Sequence, residues 1–257
     1  VKAHILRIHS VNNPLIKKIT LLKQSKHRKD SNLFMAEGIR TVTTLTNSSL
    51  TLEYLFITDE HEQMAPSLAQ STTTVVLSTN TVLAKISNSS TPAGLIAIFK
   101  QPTYSLDQFK APGIVLAQIS DPGNMGTLIR SAAAFNAKTV VIVEGVDPWS
   151  PKVVQASAGS IGMVHLFSLS WDKLTKLCKE RNIILNALVV NGNTTQSNNQ
   201  NQLLVVGNEG HGLPIEWQKD CQLHTTIVMP GKTESLNAAV AGSIALHELL
   251  KNHKHFF

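Results

Sequence analysis

Asp121-Pro-Gly-Asn-Met-Gly-Thr-Leu-Ile-Arg130 is the stretch that decides the fold. It follows the apolar run Gly113–Ser120 and opens into a helical pattern. Two more polar stretches repeat the arrangement. Gly207-Asn-Glu-Gly-His-Gly212 follows Gln202–Val206, and Met229-Pro-Gly-Lys-Thr-Glu-Ser-Leu-Asn237 ends the run Thr225–Met229. Short runs rich in Ile, Val and Leu are the pattern of strands buried on both faces, as in a parallel sheet. Ligands of open α/β sheets bind outside the carboxyl ends of the strands. The three loops are therefore expected to build one site.

The chain has 257 residues, 42% of them hydrophobic, enough for one large domain or two small ones. No apolar stretch reaches the length of a membrane span, and the beginning shows no signal-peptide h-region. Cys178 and Cys221 fit no CxxC spacing, which predicts neither a disulfide framework nor a zinc site and favours a reducing cytoplasm. The Asn-x-Ser/Thr triplets at Asn47, Asn88 and Asn193 then carry no glycosylation meaning. The formal charge of +6 is unevenly placed. Residues 1–40 hold nine Lys or Arg against Asp30 and Glu37, whereas residues 41–257 hold fourteen basic and fifteen acidic side chains. Concentrated positive charge is the footprint of a polyanion partner, most simply nucleic acid. A solvated, Lys-rich helix face is the alternative.

The pattern of elements predicts an α/β protein with a mostly parallel sheet covered by helices on both faces. Residues 1–100 read as a small α/β unit. Asn13-Pro14 caps a helix bearing Leu15, Ile19 and Leu22, and Lys23-Gln-Ser-Lys-His-Arg-Lys29 is too polar for a core and suited to phosphate contact. Phe34–Gly38 leads into a helix near Ile39–Leu45. Strands follow at Glu53–Thr58, Thr74–Leu77 and Gly94–Phe99, with a helix near Asn80–Ile86. Residues 101–112, with proline near both ends and no periodicity, read as a linker. Residues 113–257 alternate strand and helix, closing in a long helix at Ser235–Lys251. Asn191–Gln202 has no apolar pattern and is expected to be a mobile surface loop.

Asn124 is placed to cap the first loop's helix, and Arg130 lies on a face lined by Gly126 and Ala134. Arg130 either meets a bulky partner there or pairs with a carboxylate such as Asp121 or Glu144. In the second loop the glycines allow close backbone approach to a ligand, and Glu209 either serves that site or caps a helix at Leu213–Lys219. In the third loop, Ser235 and Asn237 serve either the site or the start of the last helix. Gly231-Lys232-Thr233 imitates the end of a P-loop, but that motif needs glycine where the chain has Thr226. No GxSxG, HExxH or His/Cys cluster is present, so no metal is expected; the His253-Lys-His255 tail is read as frayed.

In order and spacing, the three loops resemble the motifs of the SpoU/TrmH RNA ribose 2′-O-methyltransferases of the SPOUT superfamily. The resemblance rests on Asn124, Gly126 and Arg130; on Gly207-Asn-Glu-Gly210; and on Ile227, Met229, Gly231 and Ser235-Leu-Asn237. It covers about residues 111–252. Asn13–Lys17, Lys26, Arg28, Phe34 and Glu37-Gly38 resemble the RNA substrate-binding domain that many members carry. Two positions depart from the pattern, Val228 in place of proline and Gln155 in place of arginine.

The resemblance implies S-adenosylmethionine bound within a trefoil knot, and an obligate homodimer. It implies catalytic roles for Asn124, Arg130, Glu209, Ser235 and Asn237. Cofactor contacts are implied for Leu188, Gly207, Asn208, Gly210, Ile227, Met229 and Leu236. The basic residues Lys17, Lys18, Lys23, Lys26, Arg28 and Lys29 are expected to meet RNA. The large-subunit rRNA is the expected substrate. The alternatives are a tRNA methyltransferase of the same superfamily and an RNA-binding protein without catalysis.

Overall fold

The structure, a computed structural model, describes residues 4–89, 92–193, 201–231 and 235–251. The elements run β1 (His4–Ile8), α1 (Pro14–Thr20), α2 (Ser25–Ser31), β2 (Leu33–Glu37), α3 (Ile39–Thr46), β3 (Leu52–Ile57), α4 (Ala65–Leu68), β4 (Thr74–Ser78), α5 (Asn80–Ile86) and β5 (Leu95–Lys100). They continue with β6 (Gly113–Ala117), α6 (Pro122–Ala134), β7 (Thr139–Val143), α7 (Pro151–Ala156), β8 (His165–Ser168), α8 (Trp171–Glu180), β9 (Ile184–Asn193), β10 (Gln202–Val206), α9 (Ile215–Lys219), β11 (Leu223–Thr225) and α10 (Ala238–Leu250). By contacts the chain divides into residues 1–103 with 147–162, and residues 104–146 with 163–257. The segment 147–162 thus joins the first unit, although the sequence reading counted it with the second. Its apolar residues Val153 and Val154 are buried, and α7 packs on β2.

The first unit holds a sheet ordered β1-β4-β3-β5-β2, in which β5 runs antiparallel to both its neighbours. Asn13 caps α1 as expected, accepting a hydrogen bond from Leu15 N, with Pro14 in the first turn. Strands β1 and β2 are additions to the sequence reading. The polar stretch 23–29 is largely the short helix α2, anchored inward by one residue, Arg28.

The second unit holds a six-stranded sheet, β11-β9-β10-β6-β7-β8, parallel throughout. Every residue of β6, β7 and β10 is buried, which is what unbroken Val/Ile/Leu runs predict when both faces are covered. Helices α6 and α10 pack side by side, joined by a 2.7 Å hydrogen bond between Ser131 and Ser243. Gly242 permits this approach, since a Cβ there would lie 2.5 Å from Leu128.

Three boundaries differ from expectation. The last helix begins at Ala238, three residues later than expected, because Asn237 is its cap. Strand β11 ends at Thr225, and 226–230 has no regular secondary structure. Residues 191–193 of the expected loop complete β9. The rest of that loop at 194–200, Lys232-Thr233 of the P-loop imitation and the His253–His255 tail lie outside the described residues.

Candidate functional site

The register of β6 beside β10 pairs Leu116 with Val206, so their carboxyl-terminal loops emerge as neighbours. Glu209 joins them. One carboxylate oxygen accepts hydrogen bonds from Ser120 N (3.2 Å) and Ser120 Oγ (2.9 Å). The other accepts from Asp121 N and Asn124 Nδ2, both at 3.1 Å. Desolvation alone pushes this carboxyl up. Hydrogen bonds from Asn124 and from the backbone of Glu209, Asp121 and Ser120 outweigh it and bring the pKa to about 2. Such a carboxylate stays ionised and is a weak base. It does not cap the following helix, whose first residue is Ile215.

Asn124 is not the helix cap either. Asp121 fills that position, accepting from Asn124 N at 2.7 Å, and Pro122 opens the helix. The Asn124 amide is thereby left to bridge loops. It donates to Glu209, while its oxygen accepts from Asn237 Nδ2 at 3.0 Å. Asn237 Oδ1 in turn accepts from Ala239 N and Val240 N. One hydrogen-bonded series, Glu209–Asn124–Asn237, therefore links all three loops.

Beside this series lies a cleft of about 540 Å³ at the ends of β9 and β10, within the size range of small-molecule sites. All seven residues expected to contact a cofactor line it, namely Leu188, Gly207, Asn208, Gly210, Ile227, Met229 and Leu236, together with Glu209 and Ser235. Asn124, Arg130 and Asn237 are not among its lining residues. Gly207 is required by close approach, because a Cβ there would lie 2.4 Å from the backbone of Gly212 and Leu213. Asn208 folds the loop, accepting from Gly210 N (2.9 Å) and His211 N (3.2 Å) and donating to Gln118 O (2.8 Å). Its amide thus shapes the wall from within. Sequence reading missed Val190, Asn191, Ile215, Gln218, Ala238 and Ala241. None of these residues belongs to a motif, so no signal marked them.

The two arginines expected to be functional differ. Arg130 is exposed on α6 and has no hydrogen bond or ion pair among the described residues. Its two expected carboxylate partners are otherwise engaged. Asp121 caps α6, and Glu144 accepts from Gln118 Nε2 at 2.8 Å. Arg28 is 3% exposed. Its guanidinium donates to Asp147 through Nε and Nη2 and to Leu22 O and Lys23 O through Nη1. Burial and saturation rule out the phosphate contact expected of Arg28. Lys23 is also engaged, its ammonium donating to Lys85 O and Ser87 O. Lys17, Lys18, Lys26 and Lys29 are exposed. Of the two departing positions, Val228 is exposed and Gln155 is exposed on α7. Cys178 and Cys221 are buried, and burial pushes both thiols up to about 12, so neither is a nucleophile.

Comparison with known proteins finds relatives over nearly the whole chain. The model of the SpoU rRNA Methylase family matches residues 112–247, and that of the MRM3-like substrate binding domain matches residues 13–97. An uncharacterized tRNA/rRNA methyltransferase of Synechocystis is 31% identical over 261 residues, 95% of this chain and 93% of that protein. The 23S rRNA guanosine 2′-O-methyltransferase RlmP of Bacillus subtilis is 25% identical, covering 95% of this chain and 98% of its own. The AdoMet-bound crystal structure of an rRNA methyltransferase from Sinorhizobium meliloti superposes with a TM-score of 0.87 at 27% identity, covering 98% of this chain and 99% of that one. The three-loop site and the preceding small unit thus have one explanation: this chain belongs to the SpoU rRNA methylase family.

Proposed function

We propose that this protein transfers a methyl group from S-adenosylmethionine to a ribose 2′-hydroxyl of structured RNA, with large-subunit rRNA as the substrate. The observation that carries the reading is the Glu209–Asn124–Asn237 series, which ties three loops together beside the cleft. The cleft suits the cofactor. Leu188, Ile227, Met229 and Leu236 offer apolar contact for an adenosine, and the bends at Gly207 and Gly210 let the backbone come close. Glu209 and His211 are the ionisable side chains among the residues lining it. Bound there, the cofactor supplies an electrophilic methyl on a sulfonium.

The chain's own residues then have distinct roles. Arg130 is a poor proton acceptor, since a guanidinium does not deprotonate readily in proteins. Exposed and without a partner among the described residues, it grips an RNA phosphate and raises the acidity of the neighbouring hydroxyl electrostatically. A phosphate oxygen or water accepts the proton. Glu209, saturated with donors, holds the first loop against the second. Asn124, Ser235 and Asn237 orient the ribose and the cofactor end of the cleft, a positioning effect that removes several kcal/mol of barrier in general. Lys17, Lys18, Lys26 and Lys29 supply phosphate contacts outside the reacting centre.

The same reading includes a trefoil-knotted cofactor site, a cytoplasmic location and a homodimer. Val240 and Ile244, four residues apart on α10, are 47% and 39% exposed, an apolar stripe that a second copy would cover. Val240→Glu is expected to give a monomer by analytical ultracentrifugation, and an unchanged mass for both proteins would count against the stripe.

Calorimetric titration with S-adenosylmethionine, followed by labelled methyl transfer to undermodified rRNA and tRNA, tests the function. Binding with transfer to rRNA is expected. Transfer to tRNA alone would favour the tRNA-modifying alternative. Absence of binding and of transfer would overturn the enzyme reading.

A further inference from the structure

Six described residues other than glycine have positive φ. Four of them, Asn32, Asn136, Ala158 and Asn182, lie at the carboxyl ends of α2, α6, α7 and α8. Helices commonly stop in that conformation. Gln118 (φ 57°) and Glu144 (φ 53°) are different. They follow strands β6 and β7, whose last residues Ala117 and Val143 are paired in register. Neither is a residue type that enters the left-handed region readily. Backbone outliers of this kind collect at functional sites because surrounding structure must hold them there.

The holding contacts are present. Gln118 N donates to Val143 O at 2.7 Å, and Gln118 Nε2 donates to Glu144 Oε2 at 2.8 Å. Gln118 O accepts from Asn208 Nδ2 at 2.8 Å. Asn208 is the residue whose oxygen gathers Gly210 N and His211 N and whose loop lines the cleft. A strand-like φ at position 118 would swing the following peptide, and its carbonyl, off the Asn208 amide.

We propose that Gln118 is a positioning residue for the cofactor cleft. Its left-handed turn, steadied by Glu144, aims a backbone carbonyl that locks Asn208 and with it the loop 207–212. Among the described residues the Gln118 side chain bonds to Glu144 and to no residue of the cleft lining or the loop-bridging series, and Gln118 acts through Asn208. The effect on the cofactor rests on the reading that the cleft binds S-adenosylmethionine; the effect on the loop does not.

The test uses the full-length chain and the variants Gln118→Val, Gln118→Ala and Gln118→Gly. Valine resists positive φ most strongly, alanine less, and glycine adopts it freely. Amide hydrogen exchange at Gly210 and His211, in the absence of cofactor, reads the lock directly. Protection there is expected to fall in Gln118→Val, to be intermediate in Gln118→Ala and to return in Gln118→Gly, with exchange in β6 and β10 unchanged. The KM for S-adenosylmethionine is expected to follow the same order, rising about tenfold in Gln118→Val, the size of one unmade hydrogen bond, while kcat at saturation stays near that of the parent. Should Gln118→Val fail to fold, Gln118→Ala against Gln118→Gly makes the same comparison. Undiminished protection in the valine or alanine variant would overturn the inference whatever the cofactor does. Lost protection with an unchanged KM would support the lock and count instead against the cleft as the cofactor site.

Discussion

Two regions of this protein carry arginines that a sequence reader would assign to RNA, and the structure treats them in opposite ways. In α2 of the first unit, Arg28 is buried against Asp147 and two backbone carbonyls. In α6 of the second unit, Arg130 is exposed and unpaired among the described residues. The difference lies in their neighbours. Arg28 follows a turn whose carbonyls need donors, and Asp147 is held to receive it by Ser25 Oγ and by its own bond from Trp149 N. Trp149 also packs on Phe34, ring centroids 4.6 Å apart. The two carboxylates that the sequence offered to Arg130 are engaged elsewhere, Asp121 as the cap of α6 and Glu144 by Gln118. A charged side chain acts on solvent or ligand when its surroundings leave it unsatisfied, and that property belongs to the fold.

The largest effect expected on stability tests the structural half of this contrast. Removing one member of a buried ion pair leaves the other charge uncompensated, at a cost of about 3–5 kcal/mol. Arg28→Ala should therefore lower the denaturant midpoint sharply. Replacing both Arg28 and Asp147 with apolar residues of similar size should recover much of it. A midpoint unchanged in Arg28→Ala would mean that the pair is not buried in solution.

Glu209 sharpens the functional half. Its carboxyl is held below the usual carboxylate range by the donors it receives, at about 2. The stabilisation is fully present above the ordinary value near 4.5 and is lost as pH falls toward 2. Because the group is exposed, screening keeps its contribution to global stability modest. A carbon-detected titration of Glu209 should find the lowered value, and Asn124→Ala should move it upward. A titration near the ordinary value would remove the clamp joining the first two loops.

The smallest effects belong to the exposed lysines. Substituting Lys17, Lys18, Lys26 or Lys29 singly should weaken RNA binding across sequences and reduce the slope of log affinity against log salt by about one. The affinity for S-adenosylmethionine should not change. An unaltered slope in all four would return this face to the ordinary solvated-helix reading.

How far these features were legible depends on how local their causes are. The parallel sheet could be read because β6, β7 and β10 are continuous apolar runs, and runs of that kind need cover on both sides. The cleft lining could be read in part because Gly207, Asn208, Gly210, Ile227, Met229 and Leu236 belong to the motifs that carry the resemblance, and all six line it. The clamp could not. Glu209 and Asn124 are 85 positions apart, and no local periodicity tells whether a carboxylate caps the next helix or crosses to another loop. The same limit hid Arg28, whose acceptor Asp147 lies 119 positions away. It also hid the placement of 147–162 with the first unit, since only burial of Val153 and Val154 and contact with β2 reveal it. The cap of α10 was misread by a small margin, because Ser235 and Asn237 are both good caps and only the geometry of Ala239 N and Val240 N selects Asn237.

The most direct test of the account is methyl transfer from labelled S-adenosylmethionine to undermodified rRNA by the parent protein and by Arg130→Ala, with the RNA digested to nucleosides and analysed by mass spectrometry. The account predicts label in a 2′-O-methylated ribose. In Arg130→Ala it predicts a turnover number lower by about a hundredfold or more and a melting temperature close to that of the parent. Label on a base, or an undiminished turnover number in the variant, would contradict the assignment of Arg130 to ribose methylation.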